Sequence, residues 1–557
     1  MGPILFDGVT LMVLYNIDNK YHMVEYSHPS LSGSGEFGLP EEWSCLPSLA
    51  IPDGSHNTTE DTVYFTLPSP DTPGTVVFGI SCYRQIPTED LISKEKDVCR
   101  NTVQKSVCII SKTPLYGVLK AKLQLITQAY FNERDFSRVE VLSHMFDNLC
   151  DMFKNYDMVD GQAAFMDIPV CELFRIFRHR AVLLFKLLLL EKRVFFFITP
   201  AQQLGDIILS LISLFPRVLE EGLQYSSYKT STPPVFEVPV TDEHDVIEIE
   251  PEDVLKDDPF ASSDSFGFPM SIFTKGNSFL PYISLPLMDT IKPLRAFVAG
   301  ATNALFVMKK ESFDAVITIN EGGVGNVEFI NVDLKKNLFL TSADLRFGDY
   351  VLKNMDTRSD PSIFEGGDEW IRLQMRNYLL FLISSSRSGL STAVGDFGSS
   401  FVAEWKTTNN YRVLTARPHD DLASTPPGHP FAGQIGLADV LLRVEHNVSG
   451  SRNARKALTA ISATGKNIGE TGSKMKTSLS NWLKGGESAE GTTGEGQRSG
   501  WLKSASTSAI ADDHSQKSSE SSSDQDGLGS RVKSLTSWWK RDNSATAEAK
   551  EAKNEDM

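Results

Sequence analysis

The densest apolar run in the chain lies near its middle. Phe174–Leu190 reads as one helix, and its second half, Ala181 to Leu190, is apolar on nearly every side, as in a helix buried all round. Glu191-Lys192-Arg193 ends the run. Val194-Phe-Phe-Phe-Ile198 predicts a short strand covered on both faces, because nothing polar alternates with its β-branched and aromatic residues. Thr199-Pro200-Ala201-Gln202 predicts the next helix start, with Thr199 as cap, Pro200 at the first helical position and Gln202 reaching back. Leu204, Ile207, Ile208, Leu211, Ile212 and Phe215 keep one face apolar up to Pro216. Helix, buried strand, helix is the centre of a layered α/β domain. Ala181–Ile198 does not read as a membrane span. Lys186 and Glu191-Lys192-Arg193 cut it into pieces well below the ~20 residues a span needs.

Upstream, period-two patterning predicts a hairpin from Thr10–Asn16 and Tyr21–Tyr26, then strands at Val63–Thr66, Thr75–Tyr83 and Ser106–Ser111. Glu41–Leu46 reads as a short helix and Pro52-Asp-Gly54 as a turn. Leu115–Tyr130 is an amphipathic helix with Leu119, Leu123, Ile126 and Ala129 on one side, and Phe136–Phe153 is another. Downstream, order resumes at Phe268–Leu285. Phe297–Phe306 reads as strand, turn, strand, with further strands at Phe313–Ile319 and Val327–Val332. Helices follow at Thr341–Lys353, Asp368–Ser384 (Asp368 as N-cap) and Val394–Thr407. This is an α/β chain: a small sheet backed by helices over 1–155, a central module over 156–330, a helical part over 331–445, and a tail over 446–557.

Composition adds boundaries and exclusions. A chain of 557 residues holds two to four domains, and 41% hydrophobic residues can build real cores. The net charge of −17 argues against nucleic acid as a partner. Acidic residues from Asp242 to Asp258 crowd the stretch 225–265, which reads as a solvated linker interrupting the central module. Beyond Gly450, Ser, Thr, Gly, Ala and Lys dominate, so most of the tail is expected to be disordered. Six cysteines without C-x-x-C spacing read as reduced packing residues of a cytoplasmic protein. Met1-Gly2-Pro3-Ile4-Leu5-Phe6 is no secretory leader, and Phe6 stands where myristoylation wants Ser or Thr.

Catalytic chemistry is not visible. Gly33-Ser-Gly35-Glu-Phe-Gly38 fits a dinucleotide-binding spacing, but the preceding strand ends near Tyr26 and Leu39-Pro40 opposes a helix there, so it reads as a loop. The ten histidines show no ligand spacing, and no cofactor or metal is expected. Arg175, His179 and Lys186 fall on one stripe of the long helix, as cations paired at a rim.

Certain segments resemble known proteins. Phe78-Gly-Ile-Ser-Cys-Tyr-Arg-Gln-Ile86, Val103–Lys112 and Leu115-Tyr-Gly with Ala121–Thr127 are similar to the N-terminal module of DENN proteins. Leu187–Phe196, Phe297–Phe306, Gly366–Arg372, Thr407–Val413 and His429–Gln434 resemble the Avl family of late secretory pathway proteins, in order across 10–445. The resemblance implies a longin-like lobe, a DENN lobe of central sheet and flanking helices, and a helical C-terminal part. It implies work in vesicle traffic late in secretion and through recycling endosomes. DENN relatives are commonly exchange factors for Rab GTPases and act without catalytic side chains. No Rab-contact residue can be transferred to this sequence from the motifs.

The tail carries its own pattern. Thr464-Gly-Lys-Asn-Ile-Gly-Glu and Thr471-Gly-Ser-Lys-Met-Lys-Thr repeat a seven-residue unit within 457–484. Ile461, Ile468, Met475 and Trp482 form one track, and Leu458 and Leu479 belong to its neighbour, with Leu483 next to Trp482. Seven cations stand around them, which suits a helix lying on an anionic or loosely packed membrane; plain disorder is the alternative. Ser480-Asn-Trp-Leu-Lys484 recurs as Ser499-Gly-Trp-Leu-Lys503 and Thr536-Ser-Trp-Trp-Lys540, so Trp482, Trp501, Trp538 and Trp539 are interfacial anchors or short partner-binding motifs. Two functional classes remain: a regulator or exchange factor of a small GTPase, and a non-exchanging scaffold that tethers one to membrane.

Overall fold

The computed structural model describes residues 10–16, 22–31, 39–93, 101–154, 162–229, 260, 264–360 and 362–433. Most of the acidic stretch, the glycine motif at 33–38 and the tail with all its membrane-contact candidates lie outside the described residues. Within them the class is mixed α/β, as the patterning predicts. Two five-stranded sheets are present, each covered by helices.

The first sheet is antiparallel, in the order β2-β1-β5-β4-β3. Its strands are β1 (Thr10–Asn16), β2 (His22–His28), β3 (Glu60–Pro68), β4 (Val76–Pro87) and β5 (Thr102–Ser111). A 3-10 turn at Glu41–Trp43 and helix α1 (Leu46–Ala50) replace the single helix read at Glu41–Leu46. Helix α2 (Tyr116–Asn132) packs on β4 and β5 through Leu119, Leu123 and Ile126. Helix α3 (Glu140–Lys154) starts four residues later than its pattern suggests.

The second sheet has the order β10-β9-β6-β8-β7. Helices α4 (Gln162–Phe165), α5 (Val170–Phe177) and α6 (Arg180–Leu189) lead into β6 (Arg193–Phe197), and α7 (Ala201–Ile212) leaves it. Then come β7 (Asn277–Leu280), α8 (Met288–Ile291), β8 (Ala296–Ala301), β9 (Ala315–Ile319) and β10 (Gly325–Phe329). Central β6 is parallel to both β8 and β9, and Phe195 and Phe196 are fully buried, so the doubly covered strand is where the sequence puts it. The second strand expected at Phe306 is absent. The chain turns there into a 3-10 segment, Val307–Ser312, and the Phe306 ring stacks 5.3 Å from Phe195. Of the apolar residues that imitated a strand, Phe306 covers β6 while Leu305 is 49% exposed.

Two long helices break in two. Arg178, in the left-handed region at φ 50°, separates α5 from α6, and its N–H bonds the Phe174 carbonyl at 2.8 Å. A run apolar on every side has no phase, so its period cannot mark a change of axis. Gly398, at φ 96°, likewise splits Val394–Thr407. The helical part therefore comprises α9 (Val332–Asn337), α10 (Ser342–Thr357), α11 (Asp368–Arg387), α12 (Ser391–Gly395), α13 (Ser399–Trp405) and α14 (Asn409–Ala416).

Helix starts depart from the local rules in one consistent way. Thr199 and Gln202 do not cap α7. Asp61 on β3 does, accepting the Ala201 and Gln202 N–H groups at 2.9 Å each. Asp368 does not cap its own helix, whose N-cap is Gly367; its carboxylate accepts the Cys171 N–H of α5 at 2.7 Å. Glu191, at the end of the apolar run, accepts the Asn410 N–H of α14 at 2.8 Å and the Asn409 N–H at 3.3 Å. Remote carboxylates thus satisfy amides that local side chains would ordinarily serve. Two helices follow the local rule: α9, whose N-cap Asn331 accepts the Asp333 and Leu334 N–H groups at 3.0 and 3.1 Å, and α10, with a Thr341–Asp344 capping box.

Lys186 is no rim cation. It is fully buried, 2.9 Å from Asp344, and donates to the carbonyls of Phe397 at 2.7 Å and Phe339 at 3.2 Å. Arg175, on the other side of the break, pairs with Glu172 at the surface, so the three cations share no stripe. Cys45, Cys82, Cys108, Cys150 and Cys171 form no disulfide. Among the described residues no helix is long and apolar enough to cross a membrane.

Candidate functional site

The two sheets meet along β3 and α7, and the contact is close enough to require glycine. A Cβ on Gly205 of α7 would stand 2.0 Å from the Tyr64 ring of β3, and one on Gly117 of α2 would stand 1.7 Å from the Met166 carbonyl oxygen. Polar groups fix the register. The Tyr64 hydroxyl donates to Asp206 at 2.9 Å, and Lys120 lies 2.8 Å from Asp167 and 3.5 Å from Asp206. Thr66 donates to the Phe279 carbonyl at 2.7 Å, and the Tyr282 hydroxyl accepts the Asp53 N–H at 2.8 Å. Burial raises the Asp206 carboxyl above its ordinary value, against the opposing pull of Lys120 and Tyr64. These contacts join the two sheets along β3 and α7.

A cleft of about 450 Å³ opens where this junction meets the helical part. Phe165, Asp167, Ile168 and Pro169 form one wall; Arg358, Ile363, Phe364 and Gly367 form another; the first turn of α11 closes it with Asp368, Glu369 and Arg372. Arg372 is held on all sides. It donates to the Ser213 hydroxyl at 3.2 Å and the Ile168 carbonyl at 2.9 Å, pairs with Glu369 at 2.5 Å, and stacks 4.8 Å from the Phe165 ring centroid. Gly366, at φ 78°, lets the loop press against the Asn354 carbonyl. Apolar groups are left in water at this cleft: Phe364 is 56% exposed, Ile363 41%, and neighbouring Met166 49%. Sequence reasoning missed this place. Its signal was an Ile-Phe pair set among carboxylates and closed by two glycines, too short for any periodicity.

Glu220 stands in the field of Arg372, in a π turn, Val218–Gly222. Its Oε2 is buried with no hydrogen-bond partner, and burial pushes the carboxyl up to about 7. A raised carboxyl favours the protonated fold, so its contribution is present below pH ~4.5 and is lost as pH rises through about 7. Glu220→Gln is therefore expected to stabilise the protein at pH 8 by about 1–3 kcal/mol and to change little at pH 4.5. Urea unfolding at both pH values measures it; equal shifts at the two would show the carboxyl does not titrate in this range.

The cleft has no nucleophile–base pair, and no group of three metal-ligating side chains occurs among the described residues. What it presents to solvent is the apolar pair Ile363 and Phe364 beside Asp368 and Glu369.

Comparison with known proteins bears on the family. Residues 12–386 match the family model described as "Transport protein Avl9". The late secretory pathway protein avl9 of Schizosaccharomyces pombe is 32% identical over 415 residues, covering 70% of this chain and 84% of that protein. The late secretory pathway protein AVL9 of Saccharomyces cerevisiae is 29% identical over 490 residues, 77% of this chain and 62% of its own length. With more than half its length inside the family model and a relative matched over most of both chains, this chain belongs to the Avl9 family.

Proposed function

We propose that the chain acts in late secretory vesicle traffic as a DENN-type regulator of a Rab-class GTPase, with its first sheet as a longin-like lobe and its second as the DENN lobe. Relatives named as late secretory pathway proteins carry this reading. Two sheets joined by glycine-close packing support it further, because an exchange factor has to hold a GTPase against a surface that does not yield. Exchange needs no acid, base or metal ligand. It needs tighter binding to the nucleotide-free GTPase, and linkage makes the effect reciprocal: a coupling of roughly 1–3 kcal/mol weakens nucleotide affinity ~5–150-fold, and nucleotide weakens the complex by the same factor. The second reading is a non-exchanging tether, favoured if the basic, apolar tail segment 457–484 is the main membrane contact.

The test is one assay. The full chain is mixed with a panel of Rab proteins carrying fluorescent GDP, free and on anionic liposomes. Accelerated release from at least one member is expected, faster on liposomes because anchoring raises effective concentration. Ile468→Asp with Met475→Asp is expected to remove only the liposome gain. Preferential binding to GTP-loaded Rab with unchanged GDP release would make the protein a tether.

A further inference from the structure

We propose that the cleft between 165–169 and 358–369 docks a short basic peptide of a partner protein. The peptide places a bulky apolar side chain against Ile363 and Phe364, and a Lys or Arg beside Glu365 and Glu369.

The first argument is shape. Ile363 and Phe364 are both substantially exposed, yet their loop is braced from within. Arg358 donates to the Ile363 carbonyl at 3.0 Å, Asp360 accepts the Ser362 N–H at 2.8 Å, and the Gly367 N–H bonds the Phe364 carbonyl at 3.1 Å. A loop held in this way keeps its apolar pair on display and loses little freedom when something binds. A volume of about 450 Å³ accepts one large side chain and its neighbours, and it sits at a junction of modules where such sites gather.

The second argument is charge. From Asp356 to Glu369 the chain carries Asp356, Asp360, Glu365, Asp368 and Glu369 against Arg358 alone. Arg372 is buried and paired with Glu369, so these two charges offset each other, and Asp356, Asp360, Glu365 and Asp368 remain against Arg358. The mouth of the cleft is therefore negative. It attracts a cationic peptide, and it repels a phosphorylated one or an anionic lipid surface.

The experiment uses the full chain and a fluorescein-labelled hexapeptide, Gly-Ser-Trp-Leu-Lys-Lys, with an acidic twin bearing two glutamates in place of the lysines. Anisotropy is expected to show the basic peptide binding about tenfold more tightly, with affinity falling as salt rises. Ile363→Asp with Phe364→Asp should weaken it at least about tenfold, and Glu365→Lys about threefold, while thermal melting and circular dichroism stay as in the wild type. All three side chains are exposed, so the variants should fold. Equal binding of the acidic twin, or unchanged affinity in the double variant, overturns the proposal. So does a dimer of the chain alone, seen by sedimentation and abolished by the double variant, since a second copy would then cover this face.

Discussion

Asp344→Ala is expected to remove about 3–5 kcal/mol, the range for breaking a buried ion pair by deleting one partner. Asp344 takes the Lys186 ammonium at 2.9 Å, the Tyr378 hydroxyl at 2.7 Å and the Thr341 N–H at 2.9 Å, all out of water. His429 adds a fourth neighbour at 3.5 Å, its Nδ1 already accepting the Phe431 N–H. Burial alone would raise the Asp344 carboxyl; Lys186, His429 and Tyr378 outweigh it and hold the group well below the usual carboxylate range. Deleting the carboxylate strands a buried ammonium with two carbonyl partners. Urea unfolding measures the loss. Lys186→Met should cost less than Asp344→Ala, and the double substitution should cost less than the sum of the two. Additive losses would mean the pair is not coupled. A depressed carboxyl stabilises above its unfolded value, so this contribution fades as pH falls below ~4. Burial also lowers His429, whose neutral form the fold prefers, so acid erodes that share first, below pH ~6.5.

Glu191→Ala is expected to cost about 3 kcal/mol or more, because one carboxylate serves two chain segments. It accepts two amides at the start of α14 and the Asn410 side chain at 2.9 Å, and it pairs with Arg295 at 2.8 Å while itself buried. Glu191 holds the left-handed region at φ 50°, so Ala there keeps the backbone penalty and loses every bond. Glu191→Gln retains the shape and the Arg295 acceptor, and should cost about half as much. Hydrogen exchange of α14 locates the effect. Protection of Asn409 and Asn410 unchanged in the alanine variant would contradict the capping role.

The parts of this fold written in short-range pattern were legible. Doubly buried β6, the hairpin of β1 and β2 and the amphipathic α2 all follow from spacing and residue type. What could not be read were decisions made across distance. Lys186 broke an apolar run and so looked like a surface marker, because its partner Asp344 comes 158 residues later. Thr199 had the chemistry of a cap and lost to Asp61, which delivers both carboxylate oxygens from another sheet. The 165–169 and 358–369 walls of the cleft are separated in the chain by the whole second sheet, so neither announced the other.

The carboxylates that serve helices from afar also set a timetable for synthesis. Asp61 is already made when Ala201 emerges, so α7 meets its partner at once. Helix α5 waits for Asp368, 197 residues behind Cys171, and at ~5–20 residues per second that is roughly 10–40 s of translation. Glu191 is made 219 residues before Asn410 and spends a similar interval without its clients. During that time α6 and β6, the most apolar segments, hang on a half-built domain. Ribosomes stalled between codons 230 and 360 should therefore hold nascent chains that recruit Hsp70-type chaperones, and release them once Asn410 clears the exit tunnel.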